Sequence, residues 1–301
     1  KKTLEGQRDD LTRINYQEGM GDMRDKADRL QKLTEAIGKD WGFTAEEAAD
    51  ADRAAFLSKS DLATGMVTEF TELQGEMGKE YALLDGEKPE VAQAIFEQYM
   101  PRFAGDILPE QEIGRALSLA DKLDNLAATF LRGLIPTGSQ DPFALRRQTI
   151  GAVNILTDGK IHWDIRRGIE AALALLPGDE ETKKTVLSQI EDFFRQRIKA
   201  IMLDEGIAYD IIDAVLAGPV DDIYALFLKA RSMAESQLKD EAELRQAVTR
   251  LANITKGKTG GKVDPSLFTE DVEKKLQDAF EAVSAKALPL FASYEYGKAL
   301  P

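Results

Sequence analysis

The sequence predicts an all-α protein built from two helical domains. Apolar residues recur at spacings of three and four along almost every segment, which is the period of a helix with one buried face. No segment shows the convincing alternation of apolar and polar residues that marks a half-buried strand, and we expect at most a short strand near residues 160–163. The chain has 301 residues, 43% of them apolar. This length favours two cores, because domains commonly have roughly 100–200 residues.

The helices of the first half can be placed from the residues at their ends. One helical pattern runs from Leu11 to Ile37, and Gly38 follows it where a helix favours a left-handed residue. Thr44 with Glu47 forms a capping box, in which each side chain accepts a hydrogen bond from the other residue's backbone, and we expect the next helix to begin there.

Two prolines predict further helix starts, since the first turn of a helix does not need the missing N–H group. They are Pro89 and Pro109. The helix after Pro109 carries one apolar face: Leu117, Ala120, Leu123, Ala127 and Phe130.

A second helical domain is predicted to begin after Pro177, so that the domains span residues 1–177 and 178–301. Asp179 is placed to cap a helix that runs to Glu205, with Gly206 just beyond its end. Four further helices are expected over residues 210–217, 221–235, 240–256 and 270–287.

The residue inventory excludes several kinds of chemistry. There is no Cys, which rules out disulfides and thiolate sites, and His162 is the single histidine. We expect His162 to be a partly exposed structural residue. No phosphate-binding loop, dinucleotide fingerprint or zinc-protease motif is present. No apolar run is long enough to span a membrane, and the net charge of −14 argues against bulk binding to nucleic acid, although it averages over local patches. The chain begins without Met, and we expect it to be part of a longer protein.

Local charge departs from this acidic average in two windows. Residues 193–203 contain three basic side chains and no acid, and residues 244–263 contain five and no acid. The basic residues are Arg195, Arg197, Lys199, Arg245, Arg250, Lys256, Lys258 and Lys262. Such faces suit phosphate contacts, although this signal alone favours ordinary solvated helix surface.

Several longer motifs resemble one known family. They are Lys-Ser-Asp-Leu-Ala-Thr at 59–64, the run from Glu69 to Gly78, Tyr-Met-Pro-Arg-Phe-Ala-Gly-Asp at 99–106, Leu-Ala-Asp-Lys-Leu-Asp at 119–124, and Pro-Thr-Gly-Ser-Gln-Asp-Pro-Phe-Ala-Leu-Arg-Arg at 136–147. Together they resemble the β subunit of the bacterial two-subunit glycyl-tRNA synthetase. Arg-Leu-Ala-Asn-Ile at 250–254 resembles the anticodon-binding helical domain that arginyl-tRNA synthetases also contain. The resemblance covers nearly the whole chain.

This resemblance implies an HD-type helical domain followed by an anticodon-binding helical bundle. It also implies two partners, tRNA(Gly) and the synthetase α subunit, in the cytoplasm, with no membrane and no DNA partner. Glycine activation then belongs to the α subunit, so that ATP, glycine and Mg²⁺ are expected there and no cofactor is expected in this chain.

The predicted site residues follow from the resemblance and the basic windows together. The anticodon contacts are predicted at Arg195, Arg197, Lys199, Arg250, Asn253 and Lys256. Contacts to the acceptor end of tRNA or to the α subunit are predicted at Lys59, Arg102, Lys122, Arg146 and Arg147. The positions that correspond to an HD metal site are predicted at Asp61 and Asp121. We expect Asp61, Asp121 and Asp141 to cap helices or to pair with basic residues, and we expect no metal.

Two alternatives stay open at this point. One is a metal-dependent HD phosphohydrolase, which needs a set of His and Asp ligands that a chain with one His cannot supply. The other is a helical scaffold without RNA-binding activity.

Overall fold

A computed structural model describes residues 2–138, 140–236, 242–258, 260–261 and 263–299, without the side chains of 242–245. Within these ranges the chain is all-α, as predicted, and contains isolated bridges but no strand. The short strand expected near 160–163 is therefore wrong. Its neighbour Asp164 forms one isolated bridge with Asp222 instead.

The described helices are numbered in chain order. They are α1 (Leu4–Gln7), α2 (Met23–Trp41), α3 (Ala45–Leu57), α4 (Gly65–Glu69), α5 (Glu76–Leu84), α6 (Pro89–Glu97), α7 (Glu112–Leu131), α8 (Leu145–Asp158), α9 (Ile165–Ala174), α10 (Glu180–Asp204), α11 (Tyr209–Leu216), α12 (Ile223–Glu235), α13 (Ala242–Thr255), α14 (Asp271–Ala292) and α15 (Tyr296–Ala299). Short 3₁₀ segments cover Arg8–Arg13, Ser60–Ala63, Thr71–Leu73 and Pro265–Leu267.

The chain divides into two compact units. Unit 1 contains Lys1–Ile201 and Pro219–Tyr224, and unit 2 contains Met202–Gly218 and Ala225–Pro301. Residues 178–201 thus belong to unit 1, whereas the sequence placed them in the second domain. The division into an HD-type and an anticodon-binding domain stays a prediction.

Helix α7 is the centre of unit 1. It packs against α2, α3, α6, α8 and α9, and its buried residues lie on every side of the helix. A single apolar face was predicted for it. The buried surface is wider because Asp121, Lys122 and Asp124 are buried together with the apolar residues. This burial of charge inside the core builds the site described below.

The predicted helix starts are mostly confirmed. The capping box of Thr44 and Glu47 begins α3, Pro89 lies in the first turn of α6, and Asp179 accepts a hydrogen bond from the Thr182 N–H at the start of α10. Pro109 is an exception, since α7 begins three residues later at Glu112.

The predicted end of α2 at Gly38 is also wrong, as is its start near Leu11. The helix begins at Met23 and continues through Gly38 to Trp41, and Gly42 adopts the left-handed conformation. Gly38 is required for a different reason: a Cβ there would lie 2.6 Å from a ring carbon of Phe43.

The helices predicted in the second half are present with small shifts at their ends. They correspond to α10, α11, α12, α13 and α14, and Gly206 is left-handed as expected after α10. The predicted start of one helix at Asp240, and the basic residue Lys262, lie outside the described residues.

Candidate functional site

A buried network of charged side chains surrounds α7 in unit 1. Two carboxylates of this helix, Asp121 and Asp124, lie one turn apart on the side that faces α2 and the loop after α3. The Lys26 ammonium of α2 lies 2.9 Å from Asp121 Oδ1 and 2.8 Å from Asp124 Oδ2. Arg29 Nε, also on α2, donates to Asp124 Oδ1 at 2.6 Å. These pairs hold α2 against α7 inside the core.

Lys59 supplies a second ammonium to the same carboxylate. Its backbone is left-handed, with φ of 64°, and its side chain is buried. The Nζ atom lies 3.0 Å from Asp121 Oδ2 and 4.1 Å from the centroid of the Tyr99 ring. Burial raises the pKa of Asp121, but the ammonium groups of Lys26 and Lys59 outweigh it and hold that pKa below its usual value. Asp121 is therefore a charged carboxylate clamped between two lysines.

Asp61 is a separate buried carboxylate with its own partners. Its Oδ2 accepts from the Gly75 N–H at 2.7 Å, and its Oδ1 accepts from the Tyr99 hydroxyl at 3.0 Å. Burial raises the pKa of Asp61, and the Gly75 N–H and Lys59 oppose that rise. Asp141 caps α8, since it accepts from the N–H groups of Leu145 and Arg146. The structure thus shows the pairing expected of Asp121 and the capping expected of Asp141, whereas Asp61 bonds to a backbone N–H and to a tyrosine hydroxyl.

A pocket of about 250 Å³ opens beside this network. It lies between α7, α8 and the loop after α6. Its lining is polar for the most part: Gln74, Tyr99, Pro101, Arg102, Asp121, Lys122, Asn125, Ala144, Arg147 and Gln148. Three of the five residues predicted to contact the acceptor end or the α subunit meet here, together with one predicted HD position.

Lys122 is the buried cation of the pocket. Its ammonium donates to the Met100 carbonyl at 2.7 Å and to Ser118 Oγ at 2.6 Å. Burial lowers the pKa of Lys122 to about 7, against the opposing attraction of Asp121. Gly151 of α8 makes room for this side chain, because a Cβ there would lie 2.9 Å from Lys122 Cε.

The two arginines of the pocket differ in their partners. Arg102 Nε donates to Asp106 at 3.0 Å, and its guanidinium lies 5.7 Å from the centroid of the Phe103 ring. Arg147 is exposed and makes no ion pair or hydrogen bond with any residue that the structure describes.

The remaining predicted residues do not join the pocket. Lys59 is buried and bonded to Asp121, which does not fit the surface contact expected of it. Arg146 donates to the Gly138 carbonyl at 2.7 Å. It lies close enough to Arg197 to reinforce the effect of burial, which lowers the pKa of the Arg197 guanidinium.

The three basic residues of α10 belong to unit 1. Arg195 lies 3.8 Å from Asp192, an acid just before the acid-free window. The Arg197 guanidinium stacks 4.1 Å from the centroid of the Phe193 ring, and Lys199 is half-buried.

Arg250, Asn253 and Lys256 lie in unit 2, where all three are exposed. The first two are one turn apart on α13, and Lys256 follows its end. A single basic face shared by α10 and α13 stays a prediction.

His162 fits its expected structural role. It is partly exposed, and its Nδ1 lies 2.8 Å from Asp222 Oδ2. Among the described residues, no group of three or more His, Cys, Asp or Glu side chains is arranged to hold a metal ion.

None of the described helices is both long and apolar enough to cross a membrane.

Sequence reasoning missed half of the buried network. Lys26, Arg29, Asp124, Tyr16 and Asn125 were not singled out, although they form its core. Tyr16 donates from its hydroxyl to Asn125 Oδ1 at 2.8 Å, and burial raises the pKa of Tyr16 to about 12. The sequence did contain one signal that these basic residues are buried. Lys26 and Arg29 are three positions apart and adjoin Ala27 and Leu30, which belong to the apolar face of the helix.

Known proteins resemble this chain throughout its length. Residues 1–217 match the family model described as glycyl-tRNA synthetase β subunit. The chain is 44% identical to the glycine–tRNA ligase β subunit of Clostridioides difficile (strain 630) over 301 residues, which is all of this chain and 44% of the relative. It is 40% identical over 304 residues to that of Desulforamulus reducens, covering 100% of this chain and 44% of the relative.

A third relative is the glycine–tRNA ligase β subunit of Shouchella clausii, which is 41% identical over 281 residues, 92% of this chain and 40% of the relative. The chain thus spans less than half the length of the curated relatives it matches. The family match and these identities show that the chain belongs to the glycyl-tRNA synthetase β subunit family.

Proposed function

We propose that this chain is a tRNA-handling part of the β subunit of a heteromeric glycine–tRNA ligase, which holds tRNA(Gly) and docks a catalytic α subunit. The observation that carries this proposal is the family match over residues 1–217. The relatives are named as β subunits, and that name implies an α partner. In this proposal ATP, glycine and Mg²⁺ bind to the α subunit and none of them binds to this chain.

The buried network supports a non-hydrolytic role for the position of the HD site. A metal-dependent phosphohydrolase needs carboxylates that are free to bind cations and activate water. Asp121 is instead bonded to the ammonium groups of Lys26 and Lys59, and Asp61 accepts from Tyr99 and Gly75. Lysine side chains thus supply, next to Asp121, the positive charge that a metal ion would supply in a metal-dependent phosphohydrolase. We infer that the site is degenerate and stabilises the fold.

The charge distribution supports RNA contacts at a few places only. A chain of net charge −14 repels RNA over most of its surface. Arg250, Asn253 and Lys256 are exposed within the acid-free window of α13. Arginine and asparagine side chains suit the base edges and phosphates of unstacked nucleotides. The basic residues of α10 are the second group of proposed anticodon contacts, and Arg146 of α8 is a proposed contact of the acceptor end or of the α subunit.

The test is a tRNA titration with the full-length β subunit in complex with α. An Arg195→Ala/Arg250→Ala double variant should bind tRNA(Gly) more weakly. The salt dependence of log K should become shallower by about one for each phosphate that the variant no longer neutralises. A base contact should instead show as weaker discrimination against an anticodon-swapped tRNA, worth roughly 1–3 kcal/mol.

A matched control removes two lysines, one in each unit, that lie outside both basic windows. Lys32 of α2 and Lys275 of α14 are exposed, so a Lys32→Ala/Lys275→Ala variant loses the same charge. Its tRNA affinity should stay close to that of the wild type. Equal affinities and aminoacylation rates for both double variants and the wild type would show that the basic residues are ordinary solvated surface.

Two further measurements address docking and hydrolysis. The β subunit should co-purify with α with and without tRNA, and failure to do so would contradict the docking role. Incubation with phosphate esters and added Mn²⁺ or Mg²⁺ should give no hydrolysis above that of a mock purification. Metal-dependent hydrolysis above that background would favour the phosphohydrolase alternative.

A further inference from the structure

The pocket beside α7 contains several unused hydrogen-bond donors, and most of its acceptors are already bonded, apart from Gln74 Oε1 and Asp121 Oδ1, which lies 2.9 Å from the Lys26 ammonium. Several of its polar groups are bonded to one another. Asn125 Oδ1 accepts from Lys26 at 2.9 Å, and Asn125 Nδ2 donates to Gln148 Oε1 at 2.8 Å. The Gln148 amide in turn donates to the Phe143 carbonyl at 3.0 Å. The Tyr99 hydroxyl donates to Asp61, and the Asp121 carboxylate is paired with two lysines. These groups have little capacity left for a ligand.

At least three described side chains of the pocket keep unused donors. Arg147 makes no hydrogen bond or ion pair with the described residues. Lys122, when protonated, has three N–H groups, of which two are used by Met100 and Ser118. The side-chain amide of Gln74 also makes no hydrogen bond with the residues that the structure describes. A pocket whose free groups are mainly donors, two of them cationic, favours an anion with several acceptor oxygens.

The net charge of the pocket also favours an anion. Arg102 is balanced by Asp106, and Asp121 is balanced by Lys59 and Lys26. Lys122 and Arg147 are left as the excess positive charge. The pKa of Lys122, about 7, allows it to carry that charge near neutral pH, and an anion beside it would raise this pKa further.

The size of the pocket limits what can enter. Its volume of about 250 Å³ is slightly below the range of about 300–1,000 Å³ that encloses a drug-sized ligand. Lys122 is buried, so an anion must enter the pocket to reach its ammonium. A phosphate in an unpaired strand can do this, whereas a rigid duplex keeps its phosphates on the surface of a wide cylinder.

Two exposed aromatic residues are adjacent in sequence to residues that line the pocket. Phe103 follows the pocket residue Arg102, and Phe143 precedes the pocket residue Ala144. Exposed aromatic side chains beside a cationic groove are the pattern by which proteins stack the bases of single-stranded nucleic acid.

We propose that this pocket is a seat for one phosphate group of an unpaired RNA strand, bound by Arg147, Lys122 and Gln74, with an adjacent base stacked on Phe103 or Phe143. The proposal deepens the RNA-holding function above and rests on it. Free inorganic phosphate shares the same acceptor chemistry and should compete for the same donors.

The test uses the full-length β subunit in complex with α. The probe is a fluorescently labelled single-stranded RNA oligonucleotide, with a duplex of the same sequence for comparison. Arg147→Gln should weaken binding of the single strand about tenfold, the usual effect of removing a charge-assisted hydrogen bond, and should abolish competition by inorganic phosphate. Because Arg147 is exposed and pairs with none of the described residues, this variant should fold normally.

Lys32→Gln is the matched control, since it removes one exposed positive charge of unit 1 that does not line the pocket. Its affinity for the single strand should remain within about twofold of the wild type, as for a distant surface charge. Equal effects of Arg147→Gln and Lys32→Gln, or phosphate competition that survives in Arg147→Gln, would overturn the proposal. Equal weakening of the duplex would overturn the assignment to an unpaired strand.

The affinity of the same complexes for intact tRNA(Gly) separates this inference from the proposed function. If the wild type and both variants bind tRNA equally well, the pocket is not an RNA seat although the RNA-holding function stands. If the wild-type complex does not bind tRNA at all, the proposed function itself fails.

Discussion

At the scale of single residues, the burial of charge is the most unusual feature of this chain. Lys26, Lys59, Lys122 and the carboxylates of Asp121 and Asp124 are all buried. Burying a charge is costly unless it is paired and hydrogen-bonded. The network meets this requirement because each carboxylate contacts two basic side chains, either Lys26 and Lys59 or Lys26 and Arg29.

Asp121→Asn should therefore destabilise unit 1 strongly. It removes the ion-pair partner of the buried Lys59 and leaves Lys26 paired with Asp124 alone, and breaking a buried pair costs about 3–5 kcal/mol. The free energy of unfolding can be measured in urea by tryptophan fluorescence, because both tryptophans, Trp41 and Trp163, lie in unit 1.

Asp9→Asn is the control, since Asp9 pairs with Arg24 at 2.9 Å but its side chain is 86% exposed. Exposed pairs contribute at most about 1 kcal/mol. Equal losses of stability for the two variants would contradict the buried pairing.

Lys122 should make the stability of unit 1 depend on pH. Its pKa is about 7 in the folded state against 10.5 for an ordinary lysine, so between these values the unfolded chain binds more protons than the folded chain. Stability therefore rises with pH across this window, by up to about 1.4 kcal/mol per pH unit. Below pH 7 the full penalty of burying the charged lysine remains.

The measurement compares the free energy of unfolding in urea of the wild type and of Lys122→Met at several pH values between about 7 and 9.5. In this range Lys122 is protonated to different extents in the folded and the unfolded chain. The lowered pKa of Lys59 acts in the same direction in both proteins, so the difference between their slopes isolates Lys122. Parallel pH profiles would show that Lys122 is not desolvated as described.

At the scale of secondary-structure elements, glycines set how closely neighbouring segments approach the site. Gly75 has a φ of +84°, and a Cβ there would lie 2.8 Å from a ring carbon of Tyr99. Its N–H also donates to Asp61. This glycine thus fixes both the start of α5 and the position of the Tyr99 ring.

Gly75→Ala should destabilise unit 1 more than Gly86→Ala. Gly86 has nearly the same φ, +88°, but no atom lies within 4 Å of a Cβ built there. Left-handed strain of about 1–2 kcal/mol is common to both variants, and displacement of Tyr99 adds roughly 1–3 kcal/mol only for Gly75→Ala. Equal free energies of unfolding in urea for the two variants would mean that the Tyr99 ring can move aside without a loss of stability.

At the scale of the whole molecule, the match to known relatives covers the whole chain but less than half the length of those relatives. It belongs to the glycyl-tRNA synthetase β subunit family and spans 44% of the length of relatives from Clostridioides difficile and Desulforamulus reducens. The sequence contains no phosphate-binding loop and no dinucleotide fingerprint. The proposed division of labour leaves nucleotide chemistry to the α subunit.

We expect the purified chain alone to give no glycine-dependent exchange between ATP and pyrophosphate. Addition of the α subunit should restore exchange, because glycyl-adenylate formation then has its catalytic subunit. A mock purification without this chain is the control for contamination. Exchange by this chain alone, above that of a mock purification, would overturn the assignment of adenylate formation to α.

The sequence by itself determined the features that depend on neighbouring residues. The helical period, the capping box at Thr44 and Glu47 and the long helix after Asp179 are confirmed because hydrogen bonds within a few residues decide them. The local motifs, above all residues 136–147, were also enough to indicate the family that the comparisons then showed.

Only the tertiary structure decided which charged side chains come into contact. Lys26 and Asp124 are separated by 98 positions, and no local pattern predicts that helix packing places them 2.8 Å apart. The same packing brings Arg102, Lys122 and Arg147 from three separate elements into one pocket and buries Lys59, which sequence alone placed at the surface. The physical reason is that burial and pairing depend on the close packing of elements distant in sequence, whereas helix formation depends on the residues of the helix itself.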